Sequence, residues 1–155
     1  MSRIKFISIA GKEALIGMRK NDGGPFGAVI VRKGKIIARG HNMVLKTNDP
    51  TAHAEIVVIR KATKRLKRFD LSDCVLYTSA EPCPMCFAAI HWARIKRVYY
   101  GCTAEDAAKI GFDDKLIYDI LKGKEKKKVD YVNIPCEECK QAFEEWQKKK
   151  DRIQY

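Results

Sequence analysis

Residues Cys74-Val75-Leu76-Tyr77-Thr78-Ser79-Ala80-Glu81-Pro82-Cys83-Pro84-Met85-Cys86 decide how this chain folds. The apolar and aromatic run from Cys74 to Thr78 reads as a strand. Pro84 then suits the first turn of a helix, where its missing N–H leaves no helical bond unmade. That helix continues to about Arg94, and Arg97 to Tyr100 reads as the next strand. Strand, helix and strand in this order describe a βαβ-type layout.

Upstream, Asn48-Asp49-Pro50-Thr51 is turn and cap chemistry, and Ala52 to Arg65 follows as a helix with Ile56, Val57, Ile59, Ala62 and Leu66 on its apolar side. Before it, Phe26 to Arg32 and Lys35 to His41 form a hairpin around Lys33-Gly34. Residues 3–19 are a helix with Ile4, Ile7, Leu15 and Met18 facing inward, and Asn21-Asp22-Gly23-Gly24-Pro25 is a loop. Downstream come a helix near Asp114 to Leu121, a weaker strand at Val129 to Ile134 and a helix from about Glu137. Alternating helices and strands predict an α/β fold with a central sheet covered on both faces, mixed because its first pair is antiparallel. At 155 residues and 46% hydrophobic, residues 1–155 make a single domain.

The chemistry lies at two helix starts. His53-Ala54-Glu55 opens one, and Cys83 and Cys86, three apart, share a face of the first turn of the other. One imidazole and two sulfurs make the open shell of a catalytic Zn²⁺, with the fourth position left for water. Helix N-termini favour the thiolate form of both cysteines. Two thiolates offset the ion's charge, so its water needs a nearby carboxylate to take the proton, and Glu55 is placed to do so. His-x-Glu followed by Pro-Cys-x-x-Cys is the signature of zinc-dependent nucleobase deaminases. A Cys-x-x-Cys alone also serves as a redox pair or half a zinc knuckle, but a closed structural site would want a fourth His or Cys nearby. None is local.

The net charge of +12 raises nucleic acid as a partner. Its distribution argues against one: Lys61, Lys64, Arg65, Lys67 and Arg68 decorate one helix end, Lys124 to Lys128 a loop, and Lys148 to Lys150 a helix containing Glu144 and Glu145. These read as solvated faces. No stretch approaches the roughly 18 consecutive apolar residues of a membrane span, and Met1 to Lys5 leads into an amphipathic helix in place of a signal peptide. Cytoplasm is the expected compartment, and Cys74 and Cys102 read as buried thiols.

Asn48 to Glu55 together with Glu81 to Cys86 resembles the cytidine and deoxycytidylate deaminase superfamily. That resemblance implies a three-layer αβα sandwich around a five-stranded mixed sheet. Within the superfamily, the chain most resembles the small bacterial-type guanine deaminases, from Gly24-Pro25-Phe26-Gly27-Ala28-Val29 through Trp92-Ala93-Arg94 and Gly111-Phe112-Asp113-Asp114 to Tyr155. The tRNA adenosine deaminases share the metal motifs but usually carry valine at the Phe26 position and lack the Trp92 and Gly-Phe-Asp-Asp features.

The resemblance implies that His53, Cys83 and Cys86 bind Zn²⁺ and that Glu55 shuttles protons. It implies that Asn42 hydrogen-bonds the base, that Phe26 and Trp92 line a purine slot, and that Asp114 contacts the guanine edge and helps the amine leave. Asp114 also reads as helix-cap chemistry beside Asp113, and Phe26 and Trp92 as core. The expected reaction is hydrolysis of guanine to xanthine and ammonia, with backbone N–H groups near Ala54 and Cys83 steadying the intermediate. Alternatives are adenosine in tRNA, or another aminated purine, nucleoside or triazine. The family exchanges its C-terminal segment in a homodimer, which implies that about residues 136–155 cross to the partner and bring Tyr155 to its pocket. Cys136-Glu137-Glu138-Cys139 departs from the family pattern and reads as incidental or mildly redox-active.

Overall fold

The computed structural model describes residues 3–126, 129 and 131–154. The elements are α1 (Arg3–Arg19), β1 (Gly27–Arg32), β2 (Lys35–His41), α2 (Val44–Thr47), α3 (Ala54–Leu66), β3 (Cys74–Ala80), α4 (Pro84–Trp92), β4 (Val98–Cys102), α5 (Ala104–Lys109), α6 (Asp114–Leu121) and α7 (Glu137–Lys148). The short helices α2 and α5 were not expected from the sequence; a Thr103–Asp106 capping box starts α5.

The sheet runs β2-β1-β3-β4. β1 pairs antiparallel with both β2 and β3, while β3 and β4 are parallel across the α4 crossover, so the sheet is mixed. β1 is buried on both faces: Ala28 and Ile30 join Val58, Ala62, Leu76 and Ile90 in one core. Val29 and Val31 join Phe6, Ala10 and Tyr77 in the other. Two faces of one strand therefore fill two cores, giving the three layers.

Two expectations are corrected. The side of α1 that packs on the sheet is Phe6, Ala10, Glu13, Ala14 and Gly17, whereas Ile4 is 81% exposed and Leu15 and Met18 are also exposed. Close approach is the reason: a Cβ on Gly27 would lie 2.2 Å from the Ala10 carbonyl oxygen, so only small side chains fit where the helix crosses β1. Ile7 does pack inward, against the Tyr77 cluster.

Among the described residues the sheet also has four strands, not five. Tyr131, Val132 and Ile134, in the stretch expected to be a strand, have no regular structure and are 78%, 78% and 80% exposed. A strand exists only against a neighbour that completes its ladder, and no described strand forms a ladder with this stretch. α7 has no buried residue either, and Phe143 is 79% exposed. No described helix is long and apolar enough to cross a membrane.

Candidate active site

Two helix starts converge on one point. His53 is the N-cap of α3, in extended backbone conformation, and its side chain makes no capping bond, leaving the ring free to face across the site. Cys83 is the N-cap of α4, Pro84 follows it in the first turn, and the Cys83 sulfur accepts from the Cys86 N–H at 3.5 Å. His53 Nδ1 lies 3.5 Å from Cys83 Sγ and 3.6 Å from Cys86 Sγ. The three donor atoms all lie within 4.8 Å of one another, the one such cluster among the described residues.

The hydrogen bond from the Cys86 thiol, with His53 alongside, pulls Cys83 down to about 4, while the same pairing and burial push Cys86 up. The hydrogen bond to Cys83 raises the pKa of His53, against the burial that lowers it. Soft, anionic donors gathered at two positive helix ends suit a borderline-soft divalent cation.

Glu55, in the first turn of α3, is 6% exposed. Its Oε1 accepts from the Thr78 hydroxyl at 2.9 Å and its Oε2 from the Cys86 thiol at 3.4 Å. Burial raises its pKa, and these two bonds oppose the rise. A carboxyl held beside a metal-type cluster with a raised proton affinity is equipped to take and return protons.

A cavity of about 360 Å³ opens onto this group, lined by His53, Glu55 and Cys83 and also by Phe26, Asn42 and Asp114. Its volume falls at the small end of the range for small-molecule sites. Phe26 packs edge-on against Phe112, ring centroids 4.8 Å apart, and both rings face the cavity. Asn42 is 5% exposed, and its Oδ1 accepts from the Val44 N–H at 3.0 Å. Asp114 begins α6, where burial and the Cys83 charge push its carboxyl up.

Of the other expected site residues, Ala54 is fully buried as the first residue of α3. Trp92, at the end of α4, is 61% exposed and does not line the cavity. Tyr155 lies outside the described residues. Cys102 is exposed rather than buried, and Cys136 and Cys139 sit at the start of α7 and belong to no three-donor cluster among the described residues.

A family model described as the cytidine and deoxycytidylate deaminase zinc-binding region matches residues 1–102. The chain belongs to this deaminase family. Guanine deaminase of Bacillus subtilis (strain 168) is 46% identical over the full length of both chains. The crystal structure of guanine deaminase from Bacillus subtilis superposes with a TM-score of 0.94 at 45% identity, covering 100% of this chain and 99% of that one. A tRNA-specific adenosine deaminase of Buchnera aphidicola is 39% identical over 72% of this chain and 74% of its own.

Sequence reasoning about this deaminase missed several supports. Thr78 reads only as a strand residue, yet it is the donor that holds Glu55. Glu81 Oε2 accepts the Ala104 N–H at 2.8 Å, and the Tyr118 hydroxyl donates to the Pro82 carbonyl at 2.8 Å, so α5 and α6 brace the loop carrying Cys83. No sequence spacing announces these bonds, because their partners are brought together only by the fold.

Proposed function

We propose that this chain is a zinc-dependent guanine deaminase that hydrolyses guanine to xanthine and ammonia. The observation that carries the reading is the gathering of His53, Cys83 and Cys86 beside buried Glu55 at the floor of a small cavity. The end-to-end likeness to a guanine deaminase supports the substrate, since the tRNA-specific relative is matched only in part.

His53 Nδ1 and the sulfurs of Cys83 and Cys86 would hold the zinc, and their donor set leaves a coordination position free. When bound, the ion supplies Lewis-acid activation of water. Glu55 takes the proton from the attacking water and returns it to the departing amine; one group does both because burial raises its proton affinity. Phe26 and Phe112 give the flat ring an apolar wall. With Oδ1 engaged by Val44, the Asn42 amide keeps Nδ2 as a donor to a ring acceptor. Asp114 accepts from the N–H donors of guanine, a pattern adenine lacks at that edge.

The C-terminal segment supports an exchanged homodimer as the working form. α7 has no buried residue, and Val132 and Ile134 are 78% and 80% exposed. A groove of about 1000 Å³ runs beside α4, β4 and α6, between Phe87, Tyr100 and Tyr118. We infer that about residues 136–155 of a second copy cover this side and bring Tyr155 toward the cavity. The six cysteines, none of them in a disulfide, support a reducing cytoplasmic setting.

The test is ammonia release from a panel of free bases, nucleosides and tRNA. Turnover of guanine, insensitive to salt, is expected. Turnover confined to a nucleoside, an aminated triazine or tRNA would overturn the substrate, and a steep salt dependence would mark a polyanion.

A further inference from the structure

Behind the cavity wall lies a buried polar group that the reaction does not use. His41, the last residue of β2, places Nε2 2.8 Å from Asp22 Oδ2 and Nδ1 3.3 Å from Glu13 Oε2. Glu13 belongs to α1 and Asp22 to the loop that follows it, so one imidazole ties helix, loop and strand together. Outside this core, Glu13 Oε1 meets Arg39 at 3.3 Å and Asp22 Oδ1 meets Lys46 at 3.7 Å. Glu13 and Asp22 are 9% and 7% exposed.

The group's chain neighbours form one wall of the cavity. Asn42 follows His41 directly, and Gly23 follows Asp22; both line the cavity, whereas Glu13, Asp22 and His41 do not. The Asn42 side chain rests against Gly23, where a Cβ would lie 2.1 Å from Asn42 Oδ1. The Asp22 carbonyl accepts the N–H groups of Leu45 and Lys46, each at 3.0 Å, and so holds the short helix whose Val44 N–H fixes the Asn42 amide. Asp22 thus works twice, through its carboxylate on His41 and through its carbonyl on α2.

We propose that His41, clamped between Glu13 and Asp22, is a positioning residue that sets the Asn42 amide at the edge of the bound ring. It lines neither the cavity nor the His53–Cys83–Cys86 cluster and acts through Asn42. The proposal rests on the guanine deaminase reading for the identity of the ring but not for the geometry. A misplacement of about 1 Å at a positioning group costs on the order of a hundredfold in rate. Carboxylates only accept, so any substitute at this position needs a donor to keep even one of the two bonds.

The experiment is a double-mutant cycle on the full chain. His41→Ala is expected to lower kcat/KM for guanine by about tenfold to a hundredfold, carried mainly by KM because ring binding is what loosens. His41→Gln, which keeps one donor, is expected to recover part of the loss and serves if the alanine variant fails to fold. In an Asn42→Ala background, His41→Ala is expected to change KM by less than about twofold, since its target is gone. Additive losses in KM, or a loss confined to kcat, would overturn the proposal. Crystal structures of the two His41 variants give a reading without substrate: Asn42 Oδ1 is expected to leave the Val44 N–H, and an unmoved Asn42 also overturns it. If the wild-type chain releases no ammonia from guanine, the substrate reading fails while these structures still decide the positioning.

Discussion

The Thr78 hydroxyl donates to Glu55 Oε1 at 2.9 Å, joining the middle of the sheet to the buried carboxyl at the start of α3. This bond favours the ionised carboxylate, against the burial that raises its pKa. Thr78→Val keeps the shape and removes the donor, so the Glu55 pKa rises further. The acid limb of the kcat/KM profile should then move to higher pH, with activity lost at its acid end. Unchanged pH dependence would show that the bond does not set the carboxyl's proton affinity.

Glu55→Gln keeps the volume and removes the proton acceptor. Turnover should fall by about 10²-fold to 10⁴-fold, while metal content, measured by atomic absorption, stays at that of the wild type. Chelation of the metal should abolish activity in the wild-type chain, and added Zn²⁺ should restore it. A Glu55→Gln protein that loses zinc along with activity would place Glu55 among the ligands.

Asp73 bears on acid stability away from the site. Arg32 lies at 2.6 Å from it and Arg68 also bonds it, and they hold its carboxyl down at about 2, against an ordinary value of 3.8. A carboxylate with a depressed folded-state pKa contributes stability above its unfolded value, and that contribution is lost as pH falls through the folded one. Urea midpoints of the wild type should therefore drop between pH 3.8 and about 2 more steeply than those of Asp73→Asn. The difference should shrink at high salt, because the pairs are partly exposed.

Removal of residues 136–155 tests the exchanged dimer. The shortened chain should elute as a monomer in size-exclusion chromatography with light scattering and lose turnover, because the groove beside α4 and α6 is left uncovered. A full-length chain that is monomeric and active at assay concentration would rule the exchange out.

The metal motifs were legible because their spacing maps directly onto helix geometry: Cys83 and Cys86 are one turn apart, and a proline between them announces the turn. The strand and helix order was legible from the same punctuation, and α6 from its Asp114 start. The inward side of α1 was misread because Ile4, Leu15 and Met18 are the apolar residues, while the contact with β1 is so close that it selects Ala10, Ala14 and Gly17. The stretch around Val132 has strand character but no described strand pairs with it, and a pairing that needs a neighbour cannot be read from one segment. Thr78, Asp22 and His41 were silent for a related reason: each is an ordinary residue in its own element and becomes useful only through residues distant in sequence.

His53 occupies a position where serine, threonine, asparagine or aspartate would ordinarily close the helix end, and its ring makes no such bond. A conventional cap there is worth about 1 kcal/mol of stability. A search for hardier variants of this enzyme would therefore be drawn to His53→Asp or His53→Ser, and each gain in heat tolerance at that residue would come with an inert protein. The start of α3 thus gives its capping position to the proposed metal ligand, and a stabilisation effort has to leave it alone.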